Sequence, residues 1–184
     1  MFLLNFGSYL LIELIFYYDD SFLISTNINS NFISKKNMKV MITGGLGFIG
    51  SHLAEKLCNK HKVIILTKTN SKITNISHIN NKLKIEKVDV TNFTKLLKSI
   101  KLNKPDVIFH LAGETSHSKS FDNPIHDLDL NAKSTLYLLE IIKKLNLKCR
   151  IILGSTFIVV GRPQKLPELK KHHVIQPQFM VPIG

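Results

Sequence analysis

The sequence predicts a doubly wound α/β fold, in which helices cover both faces of a parallel sheet. Short runs that are apolar on both faces recur along the chain, and stretches with one apolar helical face lie between them. A glycine-rich turn joins the first run to the first helix. Strands buried on both faces are typical of parallel sheets, and right-handed crossovers place the intervening helices on each side. With 184 residues, 44% hydrophobic and 21% charged, the chain has about the size and composition of one globular domain.

Each predicted strand is an apolar run of four to six residues. These runs are residues 39–43, 63–66, 83–88, 107–111 and 150–153. Apolar residues three and four apart predict the helices between them. The first helix is expected over 48–59, and the second has its apolar face on Phe93, Leu96, Leu97 and Ile100 and ends before Pro105. Asn123 and Pro124 suit the N-cap and N1 positions of a third, long helix with apolar positions at Leu136, Leu139, Ile142 and Leu145.

Residues 1–37 differ in composition from the rest. An apolar run up to Tyr18 is followed by an Asn- and Ser-rich stretch, and Met38 opens a phrase typical of a natural start. We therefore expect an N-terminal extension over 1–37 and the α/β domain over 38–184. A misassigned start, a membrane tether through residues 2–18 and a packed extra element all stay open. The run is short for a membrane-spanning helix and lacks the basic segment of a signal peptide.

The net charge of +12 invites a nucleic-acid partner, but its make-up argues against one. Arg150 and Arg162 are the only arginines among 25 basic residues, whereas nucleic-acid readers favour arginine. We expect no nucleic-acid partner. Cys58 and Cys149 are far apart, without a CxxC motif or metal-ligand spacing, so we expect a reduced, cytoplasmic chain without a metal site.

The glycine-rich turn is the most informative phrase. Gly44, Gly47 and Gly50 have the GxxGxxG spacing between a strand and a helix. Such glycines permit a tight turn, let the backbone approach a pyrophosphate and allow close packing of helix and strand. The N-terminus of the following helix aims N–H groups at the phosphates. The phrase therefore predicts a dinucleotide site in a Rossmann-type domain.

Residues 43–53, TGGLGFIGSHL, resemble the start of the NAD-dependent epimerase/dehydratase family of the extended short-chain dehydrogenase/reductase superfamily. Further phrases follow in family order: residues 88–90, 106–113, 123–135 and 153–161. The resemblance implies a nucleotide-sugar substrate, a nicotinamide cofactor and, in the intact relative, hydride transfer at a sugar carbon. The resemblance is also compatible with a homodimer of the intact relative.

The resemblance also implies roles for single residues. Asp89 and Val90 would contact the adenine, the backbone of 111–113 would line the ribose and nicotinamide side, and Asn131 would steady the site. The full implied cofactor set is Gly44, Gly47, Phe48, Ile49, Gly50, Thr67, Asp89, Val90, Leu111, Ala112, Gly113, Thr115, Asn131 and Ser155. Alternatives stay open: Asp89 as a helix N-cap, Asn131 as a surface residue, and His110 as a satisfied core histidine.

The chain departs from the family pattern at the end of the second strand. NAD-binding members usually carry an Asp there, where this chain has Thr67 followed by Lys68. Thr67 can still bond a hydroxyl, while Lys68 and Lys72 suit a 2′-phosphate. We expect NAD as the cofactor, because members of the family commonly use it, and NADP stays open.

A second departure concerns the family's Tyr-x-x-x-Lys pair, which transfers the proton. Thr156 falls on the family's Ser/Thr position, which orients the substrate hydroxyl. The Tyr position holds Val181, and the Lys position lies beyond the end of the chain. We therefore expect an incomplete or frame-disrupted copy, and a catalytically inactive dinucleotide-binding module is the alternative.

Overall fold

The computed structural model describes the backbone of residues 12–18 and 21–24, and residues 37–69, 72–114 and 117–154 in full except the side chains of His117 and Lys119. Within these residues, seven strands form one sheet in the order β2-β1-β7-β6-β3-β4-β5. The strands are β1 Ile12–Tyr18, β2 Ser21–Ile24, β3 Lys39–Thr43, β4 Lys62–Thr67, β5 Leu83–Lys87, β6 Val107–His110 and β7 Arg150–Gly154.

The five strands predicted from the apolar runs are β3 to β7, and all of them are parallel. From β3, the chain moves outward through β4 to β5 and then returns to β6 on the other side of β3. The carboxyl ends of these strands meet at one edge of the sheet. The predicted doubly wound parallel fold is therefore confirmed, with its reversal of strand order between β3 and β6.

The helices lie between these strands. They are α1 Phe48–Leu57, a 3₁₀ segment Ile73–Lys82, α2 Phe93–Asn103, α3 His117–Asp122, α4 Pro124–Leu128, a π-helical turn Asp129–Lys133 and α5 Ser134–Lys144. The first helix ends at Leu57, two residues earlier than predicted over 48–59. The 3₁₀ segment and the π-helical turn were not predicted.

The core has two parts, one on each face of the sheet. On one face, Leu53 and Ala54 of α1 and Ile76 of the 3₁₀ segment pack on β3, β4 and β6. On the other, Leu96 and Ile100 of α2 pack with α5. Truncating one fully buried side chain such as Ile100 to Ala would cost about 2–5 kcal/mol. Burial of both faces fixes the plane of the sheet and thereby the site at its edge.

The apolar face of α5 differs from the prediction. Leu136, expected on the buried face, is 54% exposed, whereas Leu138 and Ile141 are completely buried. Two residues turn a helix by about 200°, so Leu136 lies opposite Leu138. Of the other predicted positions, Ile142 is buried, and Leu139 and Leu145 pack partly against the core.

The hairpin of β1 and β2 extends the sheet at β7. β1 pairs with β2 in antiparallel fashion and with β7 in parallel, with Ile12 opposite Ile151. The assignment of residues 1–37 as an extension stays a prediction. No helix in the described part of the chain combines the length and the apolar character needed to cross a membrane.

Candidate functional site

The candidate site lies where the strand order reverses, at the carboxyl ends of β3 and β6. In open α/β sheets, the crevice at such a reversal is the usual place for a ligand. Two loops meet here: the glycine loop, residues 44–47, which follows β3, and the loop of residues 111–114, which follows β6. A Cβ atom on Gly44 would lie 2.9 Å from the backbone of Leu111 and Ala112. The two loops are therefore in direct contact.

The glycine loop needs glycines for two different reasons. Gly44 has φ +68°, a conformation that residues with a side chain rarely adopt. Gly50, in the first turn of α1, lies so close to the loop that its Cβ would stand 2.7 Å from Gly45 Cα. The N–H of Gly47 closes the turn by donating to Gly44 C=O at 2.9 Å. Gly44 thus permits the turn, and Gly50 permits the close packing of α1.

The N-terminus of α1 is suited to an anion. Gly47 occupies the N-cap position and offers no capping side chain, and no acidic residue lies in the first turn. Helix N–H groups and the positive end of the helix dipole therefore face the loop. The exposed ring of Phe48 borders this end. Asn75 of the 3₁₀ segment, which belongs to no recognisable motif, donates from Nδ2 to Leu46 C=O at 2.9 Å and fixes the loop.

Thr43, the last residue of β3, fixes the second loop. Its side chain is fully buried, and its Oγ1 accepts the N–H groups of Leu111 at 3.2 Å and Ala112 at 3.1 Å. The proton of the Thr43 hydroxyl is therefore directed elsewhere. It points at Nδ1 of His110, 2.7 Å away.

His110 continues this chain of hydrogen bonds. With Nδ1 accepting, the ring carries its proton on Nε2 and donates to Ser134 Oγ at 2.9 Å. The Ser134 hydroxyl in turn donates to Leu130 C=O at 2.5 Å. Burial lowers the pKa of His110 to about 4, so the ring is neutral at physiological pH. The interpretation of His110 as a satisfied core histidine is confirmed.

Asn131 connects the π-helical turn to the loop after β6. Its Oδ1 accepts the N–H of Glu114 at 2.9 Å, and its Nδ2 donates to Asp127 Oδ1 at 2.9 Å. A Cβ on Gly113 would stand 2.8 Å from the same Oδ1. Asn131 is therefore more than a helical surface residue, and π-helical turns are frequent at functional sites.

Asp89 and Lys68 lie at the ends of β5 and β4. Oδ1 of Asp89 accepts both the N–H and the hydroxyl of Thr91, and Oδ2 lies 3.3 Å from Lys68 Nζ. Burial by itself raises the pKa of Asp89, but the bonds from Thr91 and the charge of Lys68 outweigh it and lower the pKa. The N-cap of α2 is Asn92, whose side chain accepts from Lys95 N–H, so the alternative of Asp89 as that N-cap is wrong.

The structure brings most of the predicted site residues to one edge of the sheet. Those at the ends of β3 to β6 or in the adjoining loops and turns are Gly44, Gly47, Phe48, Ile49, Gly50, Thr67, Asp89, Val90, Leu111, Ala112, Gly113 and Asn131. Their contacts with a cofactor stay predictions. Thr115, Ser155, Thr156 and Val181 lie outside the described residues. The described ranges contain no cluster of three or more His, Cys, Asp or Glu that could hold a metal ion.

Three residues that hydrogen-bond to the site or to the core next to it were not predicted from the sequence. Thr43 holds Ala112 of the site, and Asp127 holds Asn131. Ser134 holds the core residue His110, which in turn receives the bond from Thr43. None of the three was proposed as part of the site. Thr43 carried a weak signal, since it is a polar residue that ends an otherwise apolar strand directly before the glycines.

Known proteins share this sequence pattern and fold. The family model described as GDP-mannose 4,6 dehydratase matches residues 41–180. A putative UDP-glucose 4-epimerase of Methanocaldococcus jannaschii is 33% identical over 139 residues, which cover 75% of this chain and 44% of that protein.

Solved structures of nucleotide-sugar epimerases are similar to this chain in fold and sequence. The UDP-N-acetylglucosamine 4-epimerase of Methanobrevibacter ruminantium M1, in complex with UDP-N-acetylmuramic acid, has a TM-score of 0.66 and 34% identity, covering 78% of this chain and 46% of that one. The UDP-glucose 4-epimerase of Bifidobacterium longum, in complex with NAD+ and UDP, has a TM-score of 0.62 and 31% identity, covering 70% of this chain and 40% of that one. This chain spans less than half the length of these relatives. It belongs to the NAD-dependent epimerase/dehydratase family.

Proposed function

We propose that this chain is the NAD-binding part of an oxidoreductase that acts on nucleotide sugars. The observation that carries the proposal is the glycine loop at the reversal of strand order, followed by an α1 N-terminus without a capping side chain. Backbone N–H groups and the positive end of a helix dipole bind phosphates at such a position. The relative from Bifidobacterium longum, whose structure contains NAD+ and UDP, supports NAD as the cofactor.

The described residues fit a dinucleotide. The loop from Gly44 to Gly50 would hold the pyrophosphate, because it leads into the N-terminus of α1, where no side chain caps the helix N–H groups. Thr67, Asp89 and Val90 would face the adenosine. Leu111 to Gly113, tied to Thr43 and Asn131, would face the nicotinamide side.

When bound, NAD supplies a hydride acceptor for a sugar carbon. The residues of this chain would bind the cofactor and orient it and the reacting hydroxyl. Asn131 keeps the loop after β6 in place, and Thr43 keeps it against the glycine loop. We assign to Thr156 the orientation of the reacting hydroxyl, and to Thr115 and Ser155 further contacts with the cofactor. Because Cys58 and Cys149 are free thiols, we place the protein in the cytoplasm.

A second candidate is a dinucleotide-binding module without turnover. The sequence observation in its favour is Val181 at the position of the family's tyrosine. A valine cannot exchange a proton with a sugar hydroxyl. In this case the chain binds NAD, but incubation with UDP-glucose and NAD yields no epimerised or dehydrated sugar. Turnover in that assay would exclude this candidate.

The variant Gly47→Asp tests the main proposal. Gly47 has φ −70° and ψ 174°, which an Asp can adopt, and Asp is among the best N-cap residues. The fold should therefore keep its stability. The new carboxylate would occupy the α1 N–H groups and repel the pyrophosphate. Calorimetric titration should show NAD binding to the parent chain and a loss of affinity of about tenfold or more in the variant.

Asn92→Asp is the matched control. It introduces the same negative charge at a helix N-cap, that of α2, and keeps the acceptor for Lys95 N–H. Its NAD affinity should equal that of the parent chain. The proposal fails if the folded parent chain binds no NAD, or if Gly47→Asp binds it as tightly as the parent.

A further inference from the structure

A basic cavity lies at the edge of the sheet opposite the glycine loop. The parallel strands β3, β4 and β5 begin at this edge, and the last residues of α2, Leu102 and Asn103, form one wall of the cavity. It is open to solvent and has a volume of about 450 Å³. Cavities of this size hold small-molecule ligands in proteins, so the residues that line it decide which chemistry it can bind.

Three lysines line the cavity in a row, one at or directly before the start of each strand. Lys39 of β3 is the direct partner of Lys62 of β4, and Val63 is the partner of Leu83, so Lys82 lies beside Lys62. Neighbouring strands are about 4.8 Å apart, and paired residues of parallel strands point to the same face of the sheet. Like charges in such positions repel each other and lower stability. An anion bound between the three lysines would relieve this repulsion.

No carboxylate neutralises these three lysines within the described part of the chain. The residues Lys39 and Lys62 are exposed and form no ion pair there. Lys82 donates to the neutral amide of Asn59, with Nζ 2.9 Å from Oδ1. Among the described residues, no Asp or Glu lines the cavity. The cavity therefore has three positive charges without a fixed counter-charge.

Two carboxylates beside the cavity already have partners. Glu86 Oε1 is paired with Nζ of Lys84, the fourth lysine of the lining, at 2.7 Å. Asp106 accepts the backbone N–H of Lys39 with Oδ2 at 2.8 Å. Lys84 is thus balanced by Glu86, whereas the row of three lysines is not.

His61 contributes a buried polar atom without a partner. It directly precedes β4, lines the cavity and is 6% exposed, and its Nδ1 has no hydrogen-bond partner in the residues that the structure describes. Buried polar atoms are rarely left unpaired, and an ion that binds beside them is one explanation. Burial lowers the pKa of His61. The neutral imidazole carries one N–H, which can donate to an anion.

We propose that this cavity binds a chain of two or three phosphates, free or as part of a nucleotide, through Lys39, Lys62 and Lys82. Lysine binds phosphate as a point charge, and a row of lysines matches an anion whose charge is spread along a chain. The six residues of β4 rise about 3.3 Å each, so the cavity lies roughly 16 Å from the edge with the glycine loop. The site is therefore separate from the proposed dinucleotide site and does not depend on it.

Calorimetric titration of the full chain with inorganic tripolyphosphate tests the proposal. The double variant with Lys39→Gln and Lys62→Gln should weaken the binding by about tenfold or more. Because it removes a repulsion between exposed side chains, it should be at least as stable as the parent chain in thermal unfolding. The double variant with Lys95→Gln and Lys98→Gln is the matched control. It removes two exposed lysines from α2, loses the same charge and should bind tripolyphosphate as tightly as the parent chain.

Two further titrations locate the anion and identify its source. Gly47→Asp, which blocks the N-terminus of α1, should leave the affinity for tripolyphosphate unchanged. Tighter binding of ATP than of tripolyphosphate would support a nucleotide, and equal binding would support a free polyphosphate. The inference is overturned if tripolyphosphate binds the parent chain with a dissociation constant of about 1 mM or weaker, or if both lysine double variants lose affinity equally. It is also overturned if Gly47→Asp, and not the variant at Lys39 and Lys62, removes the binding.

Discussion

Nδ1 of His110 lies 2.7 Å from Oγ1 of Thr43, and this contact joins the last residues of β6 and β3 beneath the glycine loop. Because Thr43 also accepts two N–H groups from the following loop, its hydroxyl has one proton to give, and His110 receives it. The imidazole must therefore stay neutral for the arrangement to persist. A proton on Nδ1 would place two donors against each other.

The first prediction is a loss of stability in mild acid that His110 causes. The folded-state pKa of about 4 lies below the ordinary value of 6.5. Between these values the unfolded chain binds a proton that the folded chain does not, so stability falls as the pH drops through this window. The total is about 3 kcal/mol, and above pH 6.5 the effect is absent. Urea unfolding at several pH values between 5 and 7.5 should show the upper part of this change, about 2 kcal/mol.

His110→Gln should reduce this dependence on pH. His61→Gln is the matched control, because burial, with a smaller effect of Lys60, also lowers the pKa of His61. Each variant should remove the part of the change in unfolding free energy with pH that its own histidine causes. The pKa values of Glu86 and Asp89 are lowered, so both carboxylates stay largely ionised in the folded chain over the measured range of pH 5 to 7.5. An unchanged slope in His110→Gln would contradict the assignment.

The second prediction concerns the Thr43 hydroxyl. Thr43→Val keeps the shape of the side chain but leaves His110 Nδ1 and the N–H of Ala112 without their partner. Each buried group left unpaired costs about 1–3 kcal/mol, so we expect a loss of at least about 2 kcal/mol in the free energy of unfolding. Thr43→Ser should recover most of this loss. If Thr43→Val is as stable as the parent chain and Thr43→Ser is not, the methyl group and not the hydroxyl matters.

The third prediction is that Gly50→Ala destabilises the fold more than Gly47→Ala. An alanine Cβ at position 50 would meet backbone of the glycine loop at Gly45 Cα, 2.7 Å away, and backbone cannot move aside cheaply. At position 47, the nearest atom is Gly44 O at 3.1 Å, which a small shift relieves. Thermal unfolding should show a loss of about 1–3 kcal/mol for Gly50→Ala. Equal stability of the two variants would argue against close packing of α1 on the loop.

The fourth prediction concerns a polar cluster between β5 and α2. The Nδ2 of Asn103 donates to Glu86 Oε1 at 3.0 Å, and Ser99 donates to the other oxygen of Glu86 at 2.5 Å. Asn103 is 8% exposed, and Glu86 Oε1 is also paired with Lys84 Nζ at 2.7 Å, so Asn103→Ala removes one of two partners of this oxygen together with the acceptor that Asn103 Oδ1 offers Lys84. A loss of about 1–3 kcal/mol is expected from urea unfolding. Asn59→Ala, which removes an exposed bond from Lys82, serves as the control and should change little.

Sequence reasoning reached the fold more fully than the site, and the reason is the range of the contacts. Apolar runs and helical faces are local, so β3 to β7 could be predicted from short windows. The contact of Thr43 with His110 joins residues 67 positions apart, and that of His110 with Ser134 spans 24 positions. Periodicity contains no information on such pairs.

The π-helical turn shows a second limit. Its residues, Asp129 to Lys133, fit an ordinary helical pattern, and the wider turn places Asn131 against the loop after β6. Only the packing of that loop reveals the change. The glycine loop was predictable because each glycine answers a local backbone need, as the positive φ of Gly44 does.

The fifth prediction concerns the thiol of Cys149. Burial, and to a smaller extent Asp106, raises the pKa of this thiol to about 12. At pH 8 about one thiol in ten thousand is then ionised, and only the thiolate reacts with an alkylating reagent. The side chain is also 1% exposed, next to the core of β7. Cys149 should therefore be labelled only when the sheet opens.

Alkylation with iodoacetamide, followed by mass spectrometry of the peptides, separates Cys149 from Cys58. Cys58 lies just beyond the end of α1, is 9% exposed and donates only to Glu55 C=O at 3.3 Å, so fraying of the helix end should expose it first. Labelling of Cys149 should rise with urea in proportion to global unfolding, while that of Cys58 should depend on urea weakly. Equal labelling rates without urea would show that β7 opens as easily as the helix end, contrary to its place beside the buried centre of the sheet.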